Sequence, residues 1–203
     1  SRKWQKRYQT LILIPHLLSY VVVSYIAYAF LGAENGMINN QILRPLGLDP
    51  ISFYTEDKYW PFILVFVNIW KTFGYSSIIY FASIIGIDRT YYEAAEVDGA
   101  SAWTQIWSIT LPLLKPVLIT MLLLSVGRIL YSDFGLFYQV PMDSGMLFNT
   151  TNTIDTFVYR GLLQTNDLGR AAAANFIQSV MGFFLVLGAN LIVRKVEKEY
   201  ALF

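Results

Sequence analysis

Cysteine is absent from the 203 residues, histidine occurs once, at His16, and only 14% of the chain is charged against a usual share of roughly a quarter. Without cysteine there is no disulfide, no thiolate nucleophile and no thiolate-based metal site, and one histidine leaves little for a metal site of any kind. No Gly-x-x-x-x-Gly-Lys loop is present to cradle phosphates, so ATP hydrolysis is not expected of this chain. The net charge of +1 lacks the basic excess of a nucleic-acid binder.

What fills the sequence instead is apolar mass: 55% of residues are hydrophobic and the mean hydropathy is +0.45. It is concentrated in blocks, which favours lipid over a greasy soluble core. The first block, Leu11 to Leu31, holds 21 residues, about 30 Å as a helix and a match to the hydrocarbon thickness. Pro15 and His16 are read as lying in its first turns, where a missing amide is tolerated and the histidine packs or sits at the interface. Basic Arg2, Lys3, Lys6 and Arg7 ahead of this run, with Ala27-Tyr28-Ala29 after it, also outline a secretory signal. Three further hydrophobic segments follow, so a spanning helix accounts for more.

Residues 32–59 carry turn chemistry at Asn35-Gly36, Asn39-Asn40, Arg44-Pro45, Gly47 and Asp49-Pro50. The second block, 60–87, is longer than a perpendicular crossing needs. The third, 117–138, carries Arg128 and Asp133, and the polar stretch 139–168 separates it from the fourth, 169–193, which opens with small residues Ala171 to Ala174. Basic residues number nine on one side (Arg2, Lys3, Lys6, Arg7, Arg89, Lys115, Arg194, Lys195, Lys198) and four on the other (Arg44, Lys58, Arg160, Arg170). The positive-inside rule then puts both termini and residues 88–116 in the cytoplasm, and loops 32–59 and 139–168 outside. The expectation is one all-α, polytopic transmembrane domain over 1–203 with four crossings.

The stretch 92–116 is a polar island between apolar runs. Glu93, Ala94, Ala95, Glu96 and Val97 favour helix, Gly99 favours a turn, and Pro112 and Pro116 argue against an uninterrupted helix through its second half, so helix, turn, helix is predicted. From composition alone this could equally be an amphipathic helix on the membrane surface. Glu93-Ala94-Ala95 followed by Asp98-Gly99-Ala100, then Ile109-Thr110-Leu111-Pro112, resembles the cytoplasmic signature of permease subunits of bacterial ABC importers. Asn68-Ile69-Trp70, Ile87-Asp88 before Tyr91-Tyr92, Leu43 to Gly47 and Asp155-Thr156-Phe157-Val158-Tyr159-Arg160 resemble its carbohydrate-uptake branch, and within it the oligosaccharide and polysaccharide type.

That resemblance implies a MetI-like permease fold in the bacterial cytoplasmic membrane. It implies a second homologous permease, two cytoplasmic ATPase subunits that bind ATP and Mg, an extracellular solute-binding protein and a carbohydrate substrate, with no cofactor in this chain. Such permeases usually place the signature loop after four crossings, so two N-terminal crossings are expected to be missing here. Glu93 would meet an arginine of the ATPase, Ala94 and Ala95 permit close approach, Gly99 reverses the chain, Trp103, Ile106 and Trp107 supply aromatic and aliphatic anchors, and Pro112 closes the motif. Asp98 belongs to the motif or caps the second short helix.

Ionisable groups at membrane depth are costly and mark function by default. Lys71 and Tyr75 are one helical turn apart and Arg128 and Tyr131 are spaced i, i+3, so each pair shares a face if both lie in helix. By resemblance Lys71, Tyr75, Gly127, Arg128 and Tyr131 face the substrate pathway, where tyrosines stack on sugar rings and two cations suit an anionic saccharide. The alternative is that Arg128 pairs with Asp133 or another subunit while Lys71 snorkels. The segment 145–169 is placed to touch a binding protein or gate the outer mouth, and Asn149-Thr150-Thr151 is read as a coincidental sequon. A secondary transporter or channel, a permease for a non-sugar solute such as an amino acid or a metal, and a non-transporting scaffold or sensor would share the same spans.

Overall fold

The computed structural model describes residues 2–165 and 167–196; Ser1, Asn166 and the tail with Glu197 and Lys198 lie outside the described residues. Nine α-helices are described, joined by short π and 3₁₀ turns, with no strand among the described residues. The chain divides into two compact units, residues 1–74 with 131–177 and residues 75–130 with 178–203.

In the first unit, α1 (Arg2–Leu17) and α2 (Tyr20–Leu31) do not form the single straight crossing that the apolar run suggests. Thr10–Leu17 and Tyr20–Leu31 meet at 99°. The helix begins at Arg2, so Pro15 lies in its last turn and not its first; Pro15 withholds an amide there and crowds the carbonyl four residues back. Ser19 then turns extended (φ −66°, ψ 152°) and its side chain accepts from the Val22 amide, starting a new helix.

The core of this unit is built on α3 (Trp60–Ile85), whose Trp60, Leu64 and Val67 are buried against Val23, Ala27 and Leu31 of α2 and against Leu136, Val140 and Leu147. Trp60 is fully buried and donates its indole N–H to the Phe53 carbonyl at 2.6 Å. The opposite stripe of α3, with Phe62, Phe66, Ile69 and Phe73, stays exposed, as a lipid-facing or partner-facing surface requires. Residues 32–59 form a packed cap of π and 3₁₀ turns, pinned by fully buried Asn39. Its amide donates to the carbonyls of Gly32, Ala33 and Ile51 at 3.2, 3.1 and 2.9 Å, and its oxygen accepts the Ile51 amide at 2.9 Å. The unit also holds α7 (Phe148–Thr151), α8 (Ile154–Thr165) and the start of α9 (Leu168–Val196).

The second unit contains α4 (Arg89–Val97), α5 (Ala102–Gln105), a π turn at Ile106–Thr110, α6 (Leu111–Gly127) and the distal part of α9. Contrary to the break expected from Pro112 and Pro116, residues Ala102–Gly127 run as one helical stretch of 26 residues. The π turn supplies the reason: the Leu111 amide bonds the Ile106 carbonyl five residues back, and the wider turn just before Pro112 absorbs a residue that cannot donate.

The third apolar segment also ends earlier than expected. Its helix stops at Gly127, and Arg128 (φ −102°, ψ 5°) donates to the Ser125 and Val126 carbonyls in a tightened last turn. Among the described residues three helices are long and apolar enough to cross a membrane, Asp57–Ile85, Ala102–Gly127 and Leu168–Lys195, and the bent α1–α2 pair makes a fourth if counted as one span.

Candidate functional site

The polar island folds as predicted into helix, turn, helix. Asp88 caps α4 by accepting the Thr90 amide at 2.9 Å, and that bond, reinforced by the Thr90 side chain, holds the Asp88 carboxyl below its ordinary range. At the other end the Gly99 amide bonds Glu96 O at 3.0 Å and the Ala100 amide bonds Ala95 O at 2.9 Å, a Schellman closure around Gly99 at φ +76°. A Cβ at Gly99 would meet nothing within 4 Å, so glycine is needed for its backbone conformation and not for space. Asp98 does not start the second helix: it closes α4, and Ser101 caps α5 by accepting the Thr104 amide at 3.2 Å.

The residues of this hairpin point away from the chain's own interior. Trp103 and Trp107 are 68% and 58% exposed and lean edge to face with centroids 5.9 Å apart. Val97 is 89% exposed, and Ile106, Ala94 and Pro112 are exposed as well. Glu93 is held at 3.1 Å by Arg89 one turn earlier, an exposed pair that water screens and that a partner's charge can replace at little cost. The Tyr92 hydroxyl meets the Thr110 hydroxyl at 2.9 Å, fixing α4 to the π turn that leads into α6. The arrangement is a rigid, two-helix knob with large apolar side chains in water.

The intramembrane residues are distributed differently from the sequence expectation. Lys71 is buried, and its Nζ donates to the carbonyls of Pro15 at 3.3 Å, His16 at 3.1 Å and Leu18, while lying 4.6 Å from the centroid of the Tyr20 ring. All three ammonium protons are thus aimed at the end of α1, where helix carbonyls lack intrahelical donors. Lys71 does not snorkel; its ammonium stitches the break between α1 and α2. Tyr20 passes the link on, donating its hydroxyl to Asp133 Oδ2 at 2.6 Å, and Asp133 Oδ1 also accepts the Leu136 amide at 3.3 Å. Sequence reasoning missed this array because its members are 113 residues apart in the chain.

Arg128 and Tyr131 do not share a helical face, since α6 ends at Gly127. Gly127 packs where a Cβ would come 2.7 Å from Val186, so the glycine allows close approach to α9. Tyr131 lines a cleft of about 570 Å³ in the first unit together with Asn68, Ser132 and Asp133. Tyr75 is 52% exposed on α3, and Arg128 is exposed too. Lys71 and Tyr131 belong to the first unit, and Tyr75, Gly127 and Arg128 to the second. No cluster of His, Asp or Glu able to hold a metal occurs among the described residues.

Comparison with known proteins places this geometry. The polygalacturonan/rhamnogalacturonan transport system permease protein YteP of Bacillus subtilis (strain 168) is 33% identical over 97% of this chain. The lactose transport system permease protein LacF of Rhizobium radiobacter is 32% identical over 75% of it. The chain spans 60% and 51% of those two proteins. Among solved structures, a chain of a bacterial alginate ABC transporter, crystallised with an alginate pentasaccharide-bound periplasmic protein, superposes with a TM-score of 0.87 at 34% identity, covering 98% of this chain and 68% of that one. A family model for the binding-protein-dependent transport system inner membrane component matches residues 1–198, and the chain, with its helix–turn–helix knob between apolar spans, belongs to that family.

Proposed function

We propose that this chain is the membrane-spanning permease part of an ATP-driven importer of oligosaccharides or related carbohydrates, with both termini and the 88–110 knob in the cytoplasm. The observation that carries the reading is the knob itself: two short helices fixed at Asp88, Gly99 and Ser101, presenting Trp103, Trp107 and Glu93 to water, and joined to a continuous helix through Gly127. Exposed tryptophans on a rigid support are typical anchors of a protein interface. A separate ATPase subunit, carrying ATP and Mg, docks there; a second permease of the same family completes the pathway, and a solute-binding protein delivers substrate from outside. Nucleotide-driven movement of the knob turns α6, and the central site alternates between the two sides of the membrane.

The relatives' names support carbohydrate as the cargo, since those proteins carry polygalacturonan, rhamnogalacturonan and lactose in theirs. The test is copurification and uptake with the full-length protein in its complex. Replacing both tryptophans, Trp103→Ala with Trp107→Ala, removes two anchors of about 2 kcal/mol each. It is expected to strip the ATPase from a complex that still inserts in membranes and to abolish uptake of labelled oligosaccharide in proteoliposomes. Glu93→Lys is expected to weaken docking in the same assay. Retained ATPase together with normal ATP-driven uptake in these variants overturns the assignment.

A further inference from the structure

The cleft that Tyr131 lines lies wholly within the first unit, between α3 and the chain that follows α6. Its volume of about 570 Å³ is that of an ordinary small-ligand site. Leu64, Val65 and Phe137 give it an apolar wall, and Asn68, Tyr131 and Thr150 bring polar groups to it. Asp133 is the one charged side chain among the described residues that line it; neither Lys71 nor Arg128 does.

Asp133 is exposed, and its bonds fix it in place without exhausting it. Its Oδ2 accepts the Tyr20 hydroxyl at 2.6 Å and its Oδ1 the Leu136 amide at 3.3 Å. An ionised carboxylate offers about four acceptor positions, so two donors leave room for two more. Asp155 Oδ2 accepts both the amide and the hydroxyl of Ser132, a lining residue, at 2.7 Å each, which sets a second negative charge beside the same wall. Lys71, over the Tyr20 ring, spends its protons on backbone carbonyls. A carboxylate in a cleft with apolar walls focuses a negative potential there. That potential strengthens hydrogen bonds from sugar hydroxyls, which donate, and repels the carboxylate of an acidic sugar, so one group draws in one class of unit and rejects the other.

We propose that Asp133 is a specificity-determining residue, which accepts hydrogen bonds from the hydroxyls of an uncharged sugar unit in this cleft and turns uronates away. This rests on the carbohydrate-importer reading and narrows its substrate class to neutral saccharides, the reverse of the anionic cargo that Lys71 and Arg128 suggest in the sequence.

The test uses the full-length permease complex in lipid nanodiscs, without binding protein, and measures the affinities of trigalacturonate and of its fully methyl-esterified, uncharged form. The ester is expected to bind about tenfold more tightly, the effect of one like-charge pair across a partly wet cleft. Asp133→Asn keeps the shape and one acceptor but not the charge, and is expected to bring the two affinities together. Asn68→Asp, an exposed change that leaves the Tyr20 and Leu136 bonds to Asp133 in place, is expected to widen the ester's advantage by about tenfold more. A residue that only held the fold would lower both affinities and leave their ratio unchanged. Equal affinities, a preference for the acid, or no binding of the ester in the unaltered complex overturns the proposal. So does a ratio that Asp133→Asn leaves unchanged, or, if that variant fails to assemble, one that Asn68→Asp leaves unchanged. ATP-driven uptake by the complex with its binding protein, run in parallel on a neutral and an acidic oligosaccharide, separates the two readings: uptake without an ester preference removes only the Asp133 assignment, and uptake of neither removes the importer reading as well.

Discussion

Replacing Lys71 with methionine tests whether its charge serves the helix break or the transported solute. The side chains are similar in length, so packing against α1 and α2 is largely kept, but the ammonium's bonds to the carbonyls of Pro15, His16 and Leu18 are lost together. Each bond to a charged group contributes about 1.5–3 kcal/mol, and the three share one desolvation cost, so a net loss of about 3–5 kcal/mol is expected, in line with removing one partner of a buried charge cluster. For a chain of this size that corresponds to a fall in unfolding midpoint on the order of 10 °C. The assay pairs thermal unfolding in detergent with spin-label distances between α1 and α2. The 99° bend should give one narrow distance in the unaltered protein and a broad or shifted distribution in Lys71→Met. A variant with unchanged midpoint and unchanged distance, but lost uptake, refutes the stitching role and returns Lys71 to the pathway.

Gly74→Ala would place a methyl 2.0 Å from the Ile12 carbonyl oxygen, so α1 and α3 must separate; a loss of about 1–3 kcal/mol and lower yield of folded protein are expected, and an unchanged midpoint would contradict the close crossing. Asn39→Asp removes the donors to three carbonyls and buries a carboxylate, and should cost at least about 3 kcal/mol in the same unfolding assay, with protease sensitivity appearing first in residues 32–59. Gly99→Ala forces a side chain into the left-handed region at about 1–2 kcal/mol; amide exchange should quicken at Gly99 and Ala100 while the apolar spans keep their protection. Because the Asp88 pKa is depressed by folding, its capping contribution is complete above the ordinary carboxylate value of about 4 and is lost as pH falls through the lower folded value. The Thr90 amide, corrected for intrinsic rate, should therefore lose protection only in that acid window, and Asp88→Asn should flatten the dependence.

The knob was legible because its determinants are local. Asp88, Gly99 and Ser101 set cap, left-handed turn and cap within fourteen residues, and each acts through a backbone group at most five positions away. The same locality decides the capping role left open for Asp98. Asp98 and Ser101 both cap helices in general, and which of them starts α5 depends on Gly99 having already reversed the chain, which leaves Asp98 on the outgoing side.

The intramembrane residues were misread where periodicity was extended past a stop that apolar composition hides. Residues beyond Gly127 remain hydrophobic, so hydropathy carries the third segment to Tyr138, yet the helix ends in a tightened turn, and Asp133 organises the next one through its bond to the Leu136 amide. The bent first segment shows the converse. Its run is apolar throughout, and the break depends on a lysine more than fifty residues away that satisfies the freed carbonyls. In a membrane a helix can break only where some group replaces the lost backbone bonds. An isolated cation in an apolar helix therefore identifies a nearby chain break as readily as a solute path. Lys71 falls on the first side of that division, since all three of its ammonium bonds go to backbone carbonyls at a break.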